Sequence, residues 1–137
     1  MEIAIRYFTK SKKGNTVKLA NAVSEASGVE IKTVDSDLEK EADVLFLVNA
    51  MYAANIDRNV KQFLERNAPK IKLLVNVNSA ATGRSTIKTV KKTCEKAGIA
   101  VSEKEYHTVG SWLGLNKGRP NEDDINRLKD FVKEIIK

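Results

Sequence analysis

The segment from Thr9 to Thr16 contains the residue types that hold a phosphate group. It reads Thr-Lys-Ser-Lys-Lys-Gly-Asn-Thr, and it follows an apolar run and precedes a helical pattern. Hydroxyl groups, backbone amides and the positive end of a helix bind phosphate, and lysines add positive potential. The same residues also suit an ordinary turn in which Gly14 relaxes the backbone. The segment lacks the Gly-Lys-Ser/Thr ending of a Walker A loop, and no Gly-x-Gly-x-x-Gly motif occurs in the chain.

Two other polar segments could lie against a flat ring. Residues 49–55 place Met51 and Tyr52 between small residues, and such a pair can form one wall of a ring-binding site. The alternative is that Tyr52 only covers the end of the sheet. Residues 78–84 are small and polar, so their backbone amides could face a ligand. Trp112 lies in the last loop, where a lone tryptophan is more often a packing residue than a ligand platform.

The remaining reactive side chains indicate neither a catalytic nor a metal centre. The single cysteine, Cys94, lies on the apolar stripe of a predicted helix and is expected in the core. It cannot form an internal disulfide, which fits a reducing cytoplasm. The single histidine, His107, has no partner that could be named for proton transfer, and one histidine excludes a two-histidine zinc motif.

Apolar runs alternate with helical patterns along the chain, which predicts one α/β domain over residues 1–137 with a sheet covered on both sides. The helical stripes end at Gly28, before Pro69 and at Gly98, and a last helix begins after the N-cap residue Asn121. In such sheets ligands bind beyond the carboxyl ends of the strands, so the segments 9–16, 49–56, 78–86 and 107–119 are of interest. The predicted strands are 3–8, 29–34, 44–48, 71–77 and 99–106.

Three groups of residues, in this order and on the expected elements, resemble the flavodoxin family in its short-chain form. They are Tyr7-Phe8 with Gly14-Asn15-Thr16 and Leu19-Ala20, then Tyr52-Ala53 with Ile56, Val60 and Phe63-Leu64-Glu65, and finally residues 117–124, Lys-Gly-Arg-Pro-Asn-Glu-Asp-Asp. The resemblance covers the whole chain. It implies a three-layer α/β/α domain with a five-stranded parallel sheet of order 2-1-3-4-5, and a non-covalently bound FMN that carries electrons.

The resemblance also implies which residues hold FMN, and it implies no acid–base catalyst and no metal ligand. Trp112 would lie at the flavin edge. The residues implied for the phosphate are Thr9, Ser11, Lys13, Gly14, Asn15 and Thr16; those for one side of the isoalloxazine are Ala50, Met51, Tyr52 and Ala53; and those for the other side are Asn78, Ser79, Ala80, Thr82 and Gly83.

The chain departs from the family pattern at two places. The family's phosphate loop usually reads Ser-x-Thr-Gly-Asn-Thr, whereas here Lys13 stands at the expected threonine and the loop is longer. A lysine ammonium still binds phosphate as a point charge, so binding can be kept with a changed geometry. The segment after the fourth strand lacks the aromatic residue that stacks on the flavin in many flavodoxins.

The formal net charge is +6, and the whole surplus lies in residues 69–137. A basic surface can attract nucleic acid or another anionic partner, or only keep helix faces solvated. Aromatic residues make up 6% of the chain, so base stacking has little support and we do not expect nucleic-acid binding. Many flavodoxins are acidic; a basic chain would stabilise the anionic reduced flavin and make its potential less negative.

Three functions are therefore open. We expect an FMN-binding electron-transfer protein rather than an enzyme with its own substrate, with a reductase and an acceptor protein as partners. The alternatives are a flavin-dependent NAD(P)H or quinone oxidoreductase, which the short loops disfavour, and an FMN-free domain that binds an anionic partner. No apolar run is long enough to span a bilayer and no signal-peptide pattern is visible, so we expect a cytoplasmic protein, as a monomer or weak dimer.

Overall fold

The computed structural model describes residues 1–10, 14–51, 55–111 and 114–137. Its five strands form one parallel sheet in the order β2-β1-β3-β4-β5, which confirms the predicted fold class and strand order. The strands are β1 (Ile3–Tyr7), β2 (Ile31–Thr33), β3 (Val44–Ala50), β4 (Leu74–Ala80) and β5 (Tyr106–Val109), and the helices are α1 (Asn15–Ser27), α2 (Arg58–Asn67), α3 (Ile87–Ala97) and α4 (Glu122–Ile136), with a 3-10 turn at Ala68–Lys70.

Two apolar cores, one on each side of the sheet, hold the helices in place. Side chains alternate along a strand, so Leu45 and Leu47 of β3 face one core while Phe46 and Val48 face the other. α2 and α3 pack on the first side, and α1 and α4 pack on the second. Burial of each large apolar side chain contributes roughly 2–3 kcal/mol, which fixes the helices across the sheet. No helix in the described ranges is both long enough and apolar enough to cross a membrane.

The helix ends follow the predicted signals. α1 and α3 end at Gly28 and Gly98, whose φ angles of 75° and 80° lie in the left-handed region that favours glycine. α4 begins with a capping box, in which the Asn121 side chain accepts the Asp124 amide and the Asp124 carboxylate accepts the Asn121 amide. These caps fix the points at which the chain leaves α1 and α3 and enters α4.

The last strand lies further along the chain than predicted. β5 is Tyr106–Val109, and within the predicted strand 99–106 only Val101 pairs earlier, through an isolated bridge to Leu74. Ile99 is apolar because it packs into the core of α2 and α3, not because it belongs to a ladder. The predicted ends of β3 and β4 also fall short, since β3 continues to Ala50 and β4 runs from Leu74 to Ala80.

Arg6, the one charged residue of the first apolar run, is buried in β1 and has a structural role. Its guanidinium donates to the backbone carbonyls of Ser36 at 2.8 Å, Asp37 at 3.3 Å and Ile5 at 3.0 Å. Burial lowers its pKa, although nearby carboxylates oppose the shift. The contacts hold the segment that follows β2 against β1.

Candidate functional site

The strand order reverses between β1 and β3, and this switch point is where open α/β sheets bind ligands. α1, which follows β1, packs on one face of the sheet, and α2, which follows β3, packs on the other. The segments that leave the neighbouring strands meet at this edge: the Met51 amide donates to the Ser79 carbonyl at 3.3 Å, and the Gly110 amide donates to the Ala80 carbonyl at 3.0 Å. The described parts of the segments after β3, β4 and β5 are therefore brought together.

α1 begins at this edge with a glycine as its N-cap residue. Gly14, with φ −84° and ψ −178°, has no side chain that could accept a hydrogen bond from the first amides of the helix. The first turn contains no acidic residue, and Thr16 within it is buried. The amides of a helix start carry partial positive charge, so this end of α1 is suited to an anionic group.

Asn15 ties the start of α1 to the segment after β5. Its side-chain amide donates to the Ser111 carbonyl at 3.0 Å, and the Ser111 hydroxyl donates back to the Asn15 amide oxygen at 3.4 Å. A Cβ at Gly110 would lie 2.7 Å from Asn15 Nδ2 and 3.4 Å from Ser79 Cβ. A larger residue at position 110 would therefore displace the Asn15 side chain and disturb its hydrogen bond to Ser111. Gly110 and Ser111 lie in the predicted segment 107–119, but neither was singled out from the sequence, because the predicted strand ended at residue 106 and Gly110 follows β5 only in the structure.

The turn after β4 is fixed by two side chains from the β5 end. Gly83 adopts a φ of 75°, and its carbonyl lies 2.7 Å from His107 Nδ1. The side chain of Asn116 donates to the Ala81 carbonyl at 2.8 Å and to the Gly110 carbonyl at 3.3 Å. Thr82 is exposed on this turn. His107 and Asn116 therefore position the backbone of residues 81–83, and neither was expected to do so from the sequence.

Asn78, Ser79 and Ala80 were predicted to begin a loop and instead belong to β4, where all three are buried. Asn78 donates to the Arg84 carbonyl at 2.9 Å and accepts the Thr86 amide at 3.1 Å. It thereby holds the turn that follows β4. Because the Asn78 side chain forms these hydrogen bonds inside the protein, its role at the carboxyl edge is to position the turn.

A network of four buried polar side chains lies beneath this turn and joins β3, β4 and α3. Asn49 donates to Asn76 at 2.8 Å, the Thr86 hydroxyl donates to Asn49 Oδ1 at 2.8 Å, and Asn76 donates to Thr86 Oγ1 at 3.0 Å and to Asn78 Oδ1 at 3.3 Å. Every buried side-chain nitrogen and oxygen in the described residues has a partner. A fully satisfied network is rigid, so the turn rests on a fixed base.

Of the other predicted contact residues, some lie within the described part of the chain and some lie outside it. Thr9 follows β1 and Ala50 ends β3, and both are half-buried, as is Met51. Among the described residues no cluster of three or more histidine, cysteine or acidic side chains could hold a metal ion. Cys94 is buried in the core, which raises the pKa of its thiol to about 12. The predicted residues Ser11, Lys13, Tyr52, Ala53 and Trp112 lie outside the described residues.

Comparison with known proteins identifies the fold. No protein-family model matches the chain. An uncharacterized protein of Methanocaldococcus jannaschii is 28% identical over 138 aligned positions, which cover 90% of this chain and 91% of the relative. A solved flavodoxin from the domain Archaea covers 98% of this chain with 96% of its own, at 16% identity and a TM-score of 0.74. The fold is flavodoxin-like.

Proteins named for different functions share this flavodoxin-like fold. The NAD(P)H:quinone oxidoreductase from Methanothermobacter marburgensis matches 98% of both chains at 11% identity, with a TM-score of 0.65. A flavoprotein from Lactobacillus acidophilus, solved in complex with FMN, matches 77% of this chain and 92% of its own at 14% identity, with a TM-score of 0.61. Likeness at these identities concerns the fold. The function of this chain therefore has to be inferred from the residues of its site.

Proposed function

We propose that this protein binds FMN non-covalently at the carboxyl edge of its sheet and transfers electrons between partner proteins. The observation that carries the proposal is the start of α1 at the switch point of a flavodoxin-like sheet, where the N-cap residue Gly14 has no side chain to occupy the helix amides that an anion would bind. The phosphate of FMN would bind these amides. The flavin, when bound, supplies the redox chemistry.

The chain's own residues position the surfaces that would border the ring. The turn at residues 81–83 is held by His107 and Asn116, and its base is the buried network of Asn49, Asn76, Asn78 and Thr86. The Met51 amide is bonded to the Ser79 carbonyl, which fixes the point where the chain leaves β3. A fixed border reduces the ordering that binding a planar ligand would require.

The visible spectrum of the purified protein and two fluorescence titrations test this proposal. We expect flavin absorption bands, or quenching of added FMN, and a much weaker response to riboflavin because riboflavin lacks the phosphate. Equal affinity for FMN and riboflavin would contradict a phosphate site at α1. No binding of either compound at micromolar concentration would contradict the whole proposal and favour the FMN-free alternative.

A flavin-dependent quinone reductase is the second candidate, and the likeness to the Methanothermobacter marburgensis oxidoreductase over 98% of both chains favours it. The two functions differ in whether the protein needs a partner. An enzyme would oxidise NAD(P)H with a soluble quinone when only FMN is added. A carrier would turn over only when a reductase is also present.

A further inference from the structure

The two helical layers carry charge of opposite sign. α2 and α3 together contain seven basic and two acidic side chains, a net charge of +5. α1 and α4 contain four basic and six acidic side chains, a net charge of −2. α2 lies before residue 69, so the excess of basic residues is not confined to the second half of the chain. It lies on the face of the molecule that α2 and α3 form.

A groove of about 590 Å³ runs between α2 and α3 on this basic face. Lys61 and Glu65 line it from α2, and Lys92 and Lys96 line it from α3. The rest of its lining is small or polar: Asn55, Ala68, Thr89, Thr93 and Ala97. Three ammonium groups and a single carboxylate give the groove a positive potential.

The three groove lysines form no ion pair with any residue in the described part of the chain. Other cations nearby are paired, since Arg66 contacts Asp37 at 3.1 Å and Lys91 contacts Glu103 at 3.4 Å. The lysines in the groove therefore keep their full capacity to bind an anionic partner.

We propose that the α2–α3 groove is a docking surface for an acidic amphipathic helix of a partner protein. Lys92 and Lys96 are one helical turn apart, which is also the spacing of two glutamates on one face of a partner helix. Ala68 and Ala97 leave room for small apolar side chains of that helix. The described lining residues include neither an aromatic side chain nor an arginine, the groups that stack on bases or bind phosphate in two-point contacts, so a protein fits better than a nucleic acid.

The groove begins beside the candidate flavin edge. Asn55 lines the groove and lies three residues before the start of α2, in the segment that leaves β3 at the carboxyl edge. A helix docked here would bring its protein next to that edge. The docking itself needs no flavin, so it can be tested separately from the proposed FMN site.

An NMR titration of the isotopically labelled protein with a helical Glu/Ala peptide tests the proposal, with a Gln/Ala peptide as the uncharged control. We expect amide shifts concentrated in α2 and α3, and an affinity that falls as salt rises. Lys92→Glu combined with Lys96→Glu should weaken peptide binding by about tenfold or more. Lys133→Glu combined with Lys137→Glu has the same spacing and the same change in net charge, on the α4 side of the molecule, and should change the affinity by less than about twofold.

Three results would overturn the docking surface: equal weakening in both double variants, shifts spread over α4, or duplex DNA that displaces the peptide from α2 and α3 with higher affinity. Circular dichroism of each variant confirms that the fold is kept. An FMN titration of the same samples separates the two proposals, since loss of peptide binding with unchanged FMN binding concerns the groove alone.

Discussion

Gly14 stands at the N-cap of α1, a position where aspartate, asparagine or serine usually stabilises a helix better. Its φ of −84° is open to every residue, so the helix itself does not require glycine. We therefore expect Gly14→Asp to raise the free energy of unfolding of the FMN-free protein by a few tenths of a kcal/mol. The same change should weaken FMN binding by about tenfold or more, because its carboxylate occupies the amides and repels the phosphate.

Gly14→Asn is the matched control, since it caps the helix without adding charge. It should give a similar gain in stability and a smaller loss of FMN affinity. Urea denaturation and FMN fluorescence titration measure the two effects. Unchanged FMN affinity in Gly14→Asp would place the phosphate elsewhere.

Asp124 makes the stability of the start of α4 depend on pH. Arg119 donates to it twice, at 2.6 and 2.9 Å, and these bonds hold the pKa of the carboxyl below its ordinary value of 3.8. A carboxyl with a lowered pKa stabilises the fold fully above 3.8 and loses this contribution as pH falls through its folded value. Asp124→Asn should thus lower the free energy of unfolding at pH 7 by about 1–3 kcal/mol.

The deficit of Asp124→Asn should shrink as pH falls from 3.8 through the lowered pKa of folded Asp124, because the unfolded carboxyl takes up a proton first and the folded carboxyl is neutral only below its own pKa. Urea denaturation of both proteins at neutral and acidic pH measures it. A deficit that is the same at both pH values would show that the charge of Asp124 is not its source.

At the scale of elements, the β3–β4–α3 junction depends on the hydroxyl of Thr86. Replacing it in Thr86→Val keeps the volume but leaves Asn49 Oδ1 without its 2.8 Å donor and removes an acceptor for Asn76. We expect a loss of about 1–3 kcal/mol in the free energy of unfolding, because buried polar atoms become unsatisfied. Residues 81–86 should also exchange amide hydrogens faster than the rest of the sheet edge.

Thr89→Val is the control for that variant, since it makes the same substitution one turn later, at a half-buried position of α3. It should change stability by less than about 0.5 kcal/mol. Equal losses in Thr86→Val and Thr89→Val would mean that the network does not support the junction.

The same junction shows where sequence reasoning succeeds and where it stops. The apolar run Val44–Val48 indicates a central strand because apolar burial on both faces leaves a local pattern. Asn49 and Asn78 were predicted to begin loops, but they belong to β3 and β4, where their hydrogen-bond partners come from other segments of the chain. The position of β5 was predicted wrongly for a related reason. The apolar residue Ile99 suggested a strand, but it is apolar because it packs against α2 and α3.

Some features of the candidate site can likewise be predicted from the sequence, and others cannot. That four segments meet at one edge follows from parallel topology, which the alternation of strands and helices predicts. The contacts that set its shape do not follow, because the bond of Asn15 to Ser111 spans 96 residues. The close approach at Gly110 likewise needs the folded positions of Asn15 and Ser79.

For the whole molecule, the separation of charge between the two helical layers bears on the flavin if FMN binds as proposed. Reduction adds negative charge at the carboxyl edge of a protein with a net charge of +6, and the basic layer of α2 and α3 stabilises that charge. Salt shortens the screening length from about 10 Å at 0.1 M to about 3 Å at 1 M. The hydroquinone potential should therefore become more negative as ionic strength rises.

Two charge reversals at different distances from the carboxyl edge test whether the lysines of α3 raise the flavin potential. Lys88 lies in the first turn of α3, next to the carboxyl edge, whereas Lys96 lies in the last turn, about 12 Å further along the helix. Lys88→Glu should lower the hydroquinone potential at low salt by on the order of 10–30 mV, and Lys96→Glu should lower it less. Potentiometric titration of the FMN-loaded proteins measures both shifts. A very low potential in the unaltered protein, insensitive to salt and to both substitutions, would show that the basic layer does not set it.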